Sequence, residues 1–318
     1  MARTRDDDGS RLDEAARAGW LYYVAGNTQE EIAAKLGISR QAAQRLVSLS
    51  ISAGLVRVRI DHPIAACLEL AAGLRDRYGF KLVEVVPSDP ASASTTLGIA
   101  EACAAEMERR LRGEKPLVVA MGTGRTLKAA VENLPAMTCR QHRIVSLTGN
   151  VAPDGSASAY NVIFSMADRV QAPHYPMPLP VVVSSPEERA LLHGQTVVQS
   201  TLSLAAAASV AFVGIGELDR EAPLVVDGFI TLEDRQSLIA DGGIGEIVGW
   251  VFDAQGRILD CPFNARVASA PIPSTTDCEV IAVAMGPAKA AAIRAAADGK
   301  LVNGLITDEA TARRLLDA

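Results

Sequence analysis

The sequence is poor in aromatic residues and has no cysteine motif. The first shortage determines what the core is made of, and the second argues against a disulfide-bonded protein. Aromatic residues make up 4% of the 318 residues while 49% are hydrophobic, so a large core must be built from small aliphatic side chains. The five cysteines are scattered and form no CxxC pair. An odd, dispersed set predicts reduced thiols rather than a disulfide framework, and we expect a cytoplasmic protein.

Other missing features argue against membrane proteins, metalloproteins and nucleotide-binding proteins. We expect no signal peptide, because the first residues contain no apolar h-region. We also expect no membrane segment, because no run reaches the ~18 apolar residues that cross a bilayer. The four histidines show no metal-ligand spacing, and neither GxGxxG nor GxxxxGK[ST] occurs. We therefore expect no metal, nucleotide or other cofactor. No Ser-His-Asp order and no pair of carboxylates stands out as catalytic.

Charge is distributed unevenly along the chain. Residues 1–60 contain nine Lys/Arg and seven Asp/Glu, whereas the whole chain has 31 and 37 and a net charge of −6. The remainder is therefore acidic. A mildly basic head on an acidic body fits contact with nucleic acid at one end only. We predict two domains, a DNA-binding domain over 1–60 and a larger domain over 61–318.

The segment 28–46 predicts two short helices joined by a tight turn. Thr28 begins a capping-box pattern before a helix over Gln29–Leu36, Gly37 supplies the positive φ of a turn, and Ser39 caps the next helix. The apolar residues recur at the spacing that a small core needs: Ile32, Ala33, Leu36, Ile38, Ala43 and Leu46. This combination predicts a helix-turn-helix.

The exposed side of the second helix carries Arg and Gln, whose side chains can bond base edges in the major groove. A short strand over 55–60 follows, and its Arg57 predicts a basic wing that reaches phosphates. The alternative is a three-helix bundle with a solvated polar face. The candidate DNA-binding residues are Thr28, Gln29, Ser39, Arg40, Gln41, Gln44, Arg45 and Arg57.

From Lys81 onward the pattern changes to short apolar runs that alternate with helical stretches. The first run is Lys81–Val86, a later one is Val181–Val183, and the last is Gly304–Thr307. Continuous apolar strands between helices predict a mostly parallel sheet that is covered on both faces. The fold class is therefore α/β: an N-terminal winged helix-turn-helix and a mostly parallel-sheet domain.

Two strand ends in this domain carry polar groups. Leu117–Thr126 is a strand, a glycine turn and a helix start, where backbone N–H groups can bind an anion. Ser146–Asn150 ends a second strand at the same edge of the sheet, and ligands of open α/β sheets bind at that edge. The alternative for each strand end is that its polar residues only form the turn and bind no ligand.

Two further side chains complete the candidate ligand site. Glu246 lies in a glycine-rich run, Asp241–Asp253, which we interpret as flexible, and its carboxylate can accept the protons of sugar hydroxyls. Lys289 begins a helix after an apolar strand and can pair with a phosphate or a carboxylate. The candidate ligand-binding residues are Gly122, Thr123, Gly124, Arg125, Thr126, Asn150, Glu246 and Lys289.

In their order along the chain these motifs resemble the SorC family of sugar-responsive bacterial transcription regulators, of the SorC/DeoR type. The resemblance rests on Thr28–Ala33 and Leu36–Arg40 in the head, and on Gly122–Thr126, Lys289–Ile293 and Leu305–Glu309 in the body. It spans nearly the whole chain. It implies an effector domain similar in fold to ribose-phosphate isomerase and sugar-phosphate deaminase, without catalysis. It also implies a homotetramer, a dimer of dimers.

The preferred hypothesis is thus a regulator of a carbohydrate or polyol catabolic operon. Its partners would be operator DNA and a sugar, polyol or sugar-phosphate effector. The first alternative is a sugar-phosphate isomerase or deaminase with an appended DNA-binding head. The second is a regulator whose larger domain only oligomerises.

Overall fold

The computed structural model describes residues 5–56, 64–88, 96–151, 160, 162–219 and 222–317. The chain divides into two compact units, Met1–Pro63 and Ile64–Ala318. In the described part of the chain, no helix is both long and apolar enough to cross a membrane. The helices of the first unit are α1 (Arg5–Tyr23), α2 (Gln29–Leu36) and α3 (Arg40–Ser52).

The three helices of the first unit enclose a small apolar core. Ala15 and Ala18 of α1, Ile32 of α2, and Ala43 and Val47 of α3 are buried there. The predominance of alanine allows the helix backbones to approach closely, so a small core suffices to join them. Of the predicted core residues, four are buried and Leu36 and Ile38 are partly buried against them.

The connection between α2 and α3 is three residues long. Gly37 has φ 67°, in the left-handed region, and ends α2. Thr28 and Ser39 cap α2 and α3 through their side-chain oxygens. The predicted strand over 55–60 lies mostly outside the described residues, Arg57 included, and its first two residues are not in a strand.

The second unit alternates strands and helices. Its helices are α4 (Ala65–Tyr78), α5 (Leu97–Leu111), α6 (Arg125–Asn133), α7 (Val162–Val170), α8 (Pro186–His193), α9 (Thr196–Ala206), α10 (Pro223–Val226), α11 (Leu232–Ala240), α12 (Ala290–Asp298) and α13 (Glu309–Asp317). Its strands are β1 (Leu82–Val86), β2 (Val118–Met121), β3 (Arg143–Val151), β4 (His174–Pro180), β5 (Val210–Val213), β6 (Gly216–Glu217), β7 (Gly243–Ile247), β8 (Trp250–Asp253), β9 (Glu279–Val283) and β10 (Gly304–Asp308).

Seven of these strands form one parallel sheet in the order β1-β10-β9-β5-β2-β3-β4. Successive side chains of a strand point to opposite faces, and here both faces are buried. Val119 and Met121 belong to the core on one face, and Ala120 belongs to the core on the other. This confirms the predicted parallel sheet with helices on both sides.

The edge strand β4 was misplaced by the sequence pattern. The apolar run Val181–Val183 predicts a strand, but the strand is His174–Pro180, which contains Pro176 and Pro178. Proline lacks the N–H donor that an interior strand needs, so the segment does not look like a strand. The strand lies at the edge of the sheet, where one side of it needs no donors, and Met177 and Leu179 are buried.

The glycine-rich run Asp241–Asp253 is not flexible, contrary to the sequence interpretation. It forms the antiparallel hairpin of β7 and β8, and β6 pairs with β7 to give a small three-stranded sheet. The glycines reflect packing: a Cβ on Gly245 would lie 2.6 Å from Ala292 Cβ. The hairpin turns at Val248 and Gly249, with φ 48° and 90°.

Candidate functional site

A cavity of about 460 Å³ lies at the carboxyl ends of the neighbouring strands β2, β5 and β9. Its wall is formed by the turns that follow these strands, Thr123–Leu127, Gly214–Glu217 and Val283–Lys289, and by the tip of the β7–β8 hairpin. This volume falls within the ~300–1,000 Å³ that is usual for sites of small ligands. The position is also the one where open α/β sheets bind ligands.

The predicted glycine turn forms one side of this cavity. Thr123, Gly124, Arg125 and Thr126 all line it, and α6 begins at Arg125. Gly124 precedes the helix with φ 123°, and no side chain caps the helix start. The first N–H groups of a helix have no partner within the helix, so this wall offers hydrogen-bond donors to an oxygen-rich ligand.

Glu246 of β7 contributes a buried carboxyl group to the cavity. Its Oε2 accepts a hydrogen bond from the Gly249 backbone N–H at 2.8 Å. Burial raises the pKa of this carboxyl group, and the Gly249 N–H and the charge of Lys289 partly oppose that rise. A desolvated carboxylate is a strong acceptor for hydroxyl protons, because little water competes for it.

Lys289 reaches the cavity from the 3₁₀ turn after β9 and is already engaged. Its Nζ donates to the Ile215 carbonyl oxygen at 2.8 Å and lies 3.4 Å from Glu217 Oε2. Of the phosphate and carboxylate partners expected from the sequence, the partner in the structure is a carboxylate. The positive charge of Lys289 is therefore largely balanced by Glu217 before any ligand binds.

The sequence analysis missed several residues of the cavity wall. Glu217, Asp227 and Tyr160 line it as well, and so does Thr148, which lies in the predicted strand end Ser146–Asn150. The Tyr160 hydroxyl donates to Asp227 Oδ1 at 3.1 Å, and burial and the neighbouring Asp227 carboxylate raise the pKa of Tyr160. Glu217 directly follows the apolar strand that ends near Ile215, and that polar strand end was a usable signal. Asp227 had no such signal.

Two predicted ligand residues do not line the cavity. Gly122 lies beneath the turn, where its N–H donates to the Phe212 carbonyl oxygen at 2.8 Å and a Cβ would contact Val248 Cγ1 at 3.3 Å. Asn150 lies near the end of β3, and its buried Oδ1 has no hydrogen-bond partner among the described residues. The structure brings the other six predicted residues together around one cavity.

The charge of the cavity wall suits a ligand rich in hydroxyl groups. Glu217, Asp227 and Glu246 supply carboxylates, while Arg125 and Lys289 supply cations. Carboxylates accept hydroxyl protons, and N–H groups bind the oxygens. Within the described ranges, no group of His, Cys, Asp and Glu side chains could hold a metal ion.

The other candidate surface is the outer face of α3. Arg40, Gln41, Gln44 and Arg45 are exposed, while the opposite face packs into the core. Arg45 Nε donates to the Gln41 carbonyl oxygen at 3.3 Å, and Arg40 Nη1 lies 3.4 Å from Glu30 Oε1. Both contacts are at the surface, where such pairs contribute little, so these side chains can reorient toward a partner.

The remaining predicted DNA-binding residues lie near the helix starts. Thr28 Oγ1 accepts from the Glu31 N–H at 3.3 Å, and Ser39 Oγ accepts from the Ala42 N–H at 3.2 Å. These two hydroxyls are therefore used as helix caps. Gln29 is half-buried.

Comparison with known proteins agrees with this architecture. Residues 62–317 match the family "Putative sugar-binding domain". The chain is 34% identical to the erythritol catabolism regulatory protein EryD of Brucella abortus, over 95% of this chain and 96% of that protein. It is 32% identical to the transcriptional regulator LsrR of an Enterobacter species, over 95% and 92% of the two chains.

A solved structure extends the likeness to both units. The full-length sorbitol operon regulator SorC of Klebsiella pneumoniae superposes with a TM-score of 0.71 and 25% identity, and the match covers 96% of this chain and 99% of that one. The larger unit thus matches a sugar-binding domain, and the whole chain matches a transcription regulator. The chain belongs to the SorC family of sugar-binding transcriptional regulators. The resemblance and the fold class predicted from the sequence are confirmed.

Proposed function

We propose that this regulator binds operator DNA through α3 and is controlled by a sugar, polyol or sugar phosphate that binds in the cavity. The observation that carries the proposal is the composition of the cavity wall, where an uncapped helix start faces carboxylates at the ends of parallel strands. The regulated genes would form a carbohydrate or polyol catabolic operon. The name of the relative EryD makes erythritol the first compound to test.

The DNA contact rests on the exposed row of α3. Arg and Gln side chains on a helix with a buried opposite face can enter the major groove and bond base edges. Arg45 and Gln41 are one turn apart and are the residues that we expect to bond bases. The helix starts at Thr28 and Ser39 would bind phosphates through backbone N–H groups, since the two hydroxyls are occupied.

Control by the effector would follow from a shift between two arrangements of an oligomer. We expect a homotetramer, a dimer of dimers, because the family resemblance implies one. The effector would stabilise the arrangement that it binds better, and that arrangement would set the spacing of the DNA-binding units along the operator. Sedimentation of the purified protein with and without the effector measures both the size and any change of assembly.

The enzyme alternative has less support than the regulator. The relatives described above are named as regulators of transcription, and Lys289 is held by Glu217 and the Ile215 carbonyl. A conversion assay with pentose and amino-sugar phosphates separates the two hypotheses. Turnover at ordinary enzymatic rates would make this chain an enzyme and overturn the proposal.

The direct test combines ligand and DNA. A duplex selected from a random pool by the purified protein serves as the operator, and fluorescence anisotropy measures the dissociation constant with and without polyols and sugar phosphates. We expect sequence-selective binding that weakens with salt and changes with at least one compound. Binding that is equal for random and selected DNA, and indifferent to every compound, would contradict the proposal.

A further inference from the structure

The wall of the cavity contains a buried hydroxyl group that the protein leaves without a hydrogen bond. Thr148 of β3 is 3% exposed and lines the cavity, and its Oγ1 has no partner among the described residues. A buried hydroxyl without a hydrogen bond is costly, and one that also lines a cavity is placed to bond a ligand. Thr148 therefore points to a ligand group.

The backbone around Thr148 explains why its own strand does not satisfy it. The pairing of β3 with β4 shifts register between Val145 and Gly149, so Thr148 lies at an irregularity of the ladder. Ser146 Oγ donates to the Thr148 carbonyl oxygen at 2.8 Å, which fixes this bend. The irregularity thus holds the threonine at the cavity wall.

A second unpartnered hydroxyl lies close behind the same wall. Ser269 is fully buried, and its Oγ has no partner in the described part of the chain. It lies 3.8 Å from the position of a Cβ built on Gly249, which lines the cavity. The next residue, Ala270, donates its N–H to Leu147, so this segment runs beside the residue that precedes Thr148.

The group that fits here is an uncharged hydroxyl. Glu246 holds the Gly249 N–H on the same hairpin tip, so a phosphate oxygen placed at this end would face a carboxylate. A ligand hydroxyl can donate its proton to the Glu246 carboxylate and accept the proton of the Thr148 hydroxyl, so it acts as both donor and acceptor. The apolar residues Val181 and Val248 also line the cavity, and Val181 Cγ1 lies 3.3 Å from a Cβ built on Gly249.

We propose that Thr148 forms a subsite at the cavity wall that binds an uncharged hydroxyl group of the effector. This subsite rests on the proposed function, because it lies in the proposed effector cavity. It specifies the chemistry of one end of the ligand: a polyol or sugar hydroxyl occupies it, and a phosphate group, where one is present, lies elsewhere. No covalent step is involved.

The test compares two buried threonines that differ in position. Thr148→Val removes the hydroxyl from the cavity, while Thr307→Val removes another buried, unpartnered hydroxyl from β10, away from the cavity wall. The full chain is titrated by calorimetry with erythritol, ribitol, xylitol, sorbitol and pentose phosphates, and its melting temperature is measured without ligand. We expect Thr148→Val to lower the affinity for the best-binding polyol about tenfold, which corresponds to ~1.4 kcal/mol. Thr307→Val should leave that affinity unchanged.

The outcomes separate the subsite from the proposed function. Neither variant should lower the melting temperature without ligand, since each removes an unsatisfied polar group. Equal affinities of wild type and Thr148→Val for every compound that binds would overturn the subsite while leaving the effector cavity intact. If no polyol and no sugar phosphate binds the wild type, the effector assignment fails and the subsite fails with it. Should Thr148→Val not fold, Thr148→Ser must retain the affinity and Thr148→Ala must lose it.

Discussion

The replacement Glu246→Gln tests the cavity with a minimal change of shape. Glutamine keeps an oxygen that can accept the Gly249 N–H, now 2.8 Å from Glu246 Oε2, so the hairpin turn should persist. What is lost is the negative charge that a ligand hydroxyl would meet. Hydrogen bonds to charged groups contribute about 1.5–3 kcal/mol, so the affinity for a polyol should fall roughly 10- to 150-fold.

Without ligand, the free energy of unfolding of the same variant should depend on pH differently from that of wild type. Burial raises the pKa of Glu246 above its value in the unfolded chain, so the unfolded state loses its proton first as pH rises. The free energy of unfolding of the wild type then decreases across the interval between the two pKa values, and glutamine removes this loss. Glu246→Gln should therefore be as stable as wild type at low pH and more stable at neutral pH.

The assays are calorimetric titration with erythritol and related polyols, and thermal unfolding as a function of pH. Glu108→Gln is the control, because Glu108 of α5 pairs at 2.6 Å with Arg112, the residue after the helix, and neither lines the cavity. A Glu246→Gln protein that binds every polyol like wild type would refute the role of this carboxylate. A variant that is less stable than wild type at neutral pH would refute the electrostatic reasoning.

Three further substitutions test other parts of the account. Arg45→Ala should weaken binding to the selected operator by ~1–3 kcal/mol and bind random DNA nearly as well as wild type, as anisotropy would measure. Gly216→Ala should abolish the effector response, because its Cβ would overlap the Glu246 carboxylate. Asn264→Ala should lower the free energy of unfolding by about 3 kcal/mol, because Asn264 bonds both the N–H and the carbonyl of Val251 and the Leu259 carbonyl.

Each of these has an outcome that contradicts it. An equal loss on operator and random DNA would make Arg45 a phosphate contact. A preserved response in Gly216→Ala would place the effector elsewhere, provided that the variant unfolds at the wild-type temperature. Denaturant unfolding of Asn264→Ala at the wild-type midpoint would show that these buried hydrogen bonds add little to stability.

The parts of the fold that were predictable are those set by local physics. Thr28 and Gly37 occupy the cap and turn positions that their side chains favour, and both roles appear in the structure. The apolar runs gave the central strands, since a strand buried on both faces must be apolar throughout. These features need only the nearest residues along the chain.

The errors arose where tertiary context outweighs local preference. Strand β4 tolerates Pro176 and Pro178 only because it lies at the sheet edge, and no local signal reveals an edge. The run Asp241–Asp253 looked flexible because its glycines suggest freedom, whereas Gly245 is required by close packing against Ala292.

Part of the candidate site was predictable, because the order of strands and turns along the chain places it at one edge of the sheet. The glycine turn Thr123–Thr126 follows a strand, so its place at the sheet edge was inferable from topology. Asp227 and Tyr160 are far apart in the sequence, and only the folded chain brings them together. The polar strand end Ser146–Asn150 was predicted, but the sequence pointed to Asn150 and not to Thr148, because the register shift in β3 is a feature of the fold.

The central claim is that one protein binds both a hydroxyl-rich effector and operator DNA, and that the two events are coupled. The most direct measurement is the dissociation constant of the effector with and without saturating operator duplex, set beside the dissociation constant of the duplex with and without saturating effector. Linkage requires that both ratios be the same factor, and we expect roughly 5- to 150-fold. Two ratios of one, with both ligands bound, would contradict the account.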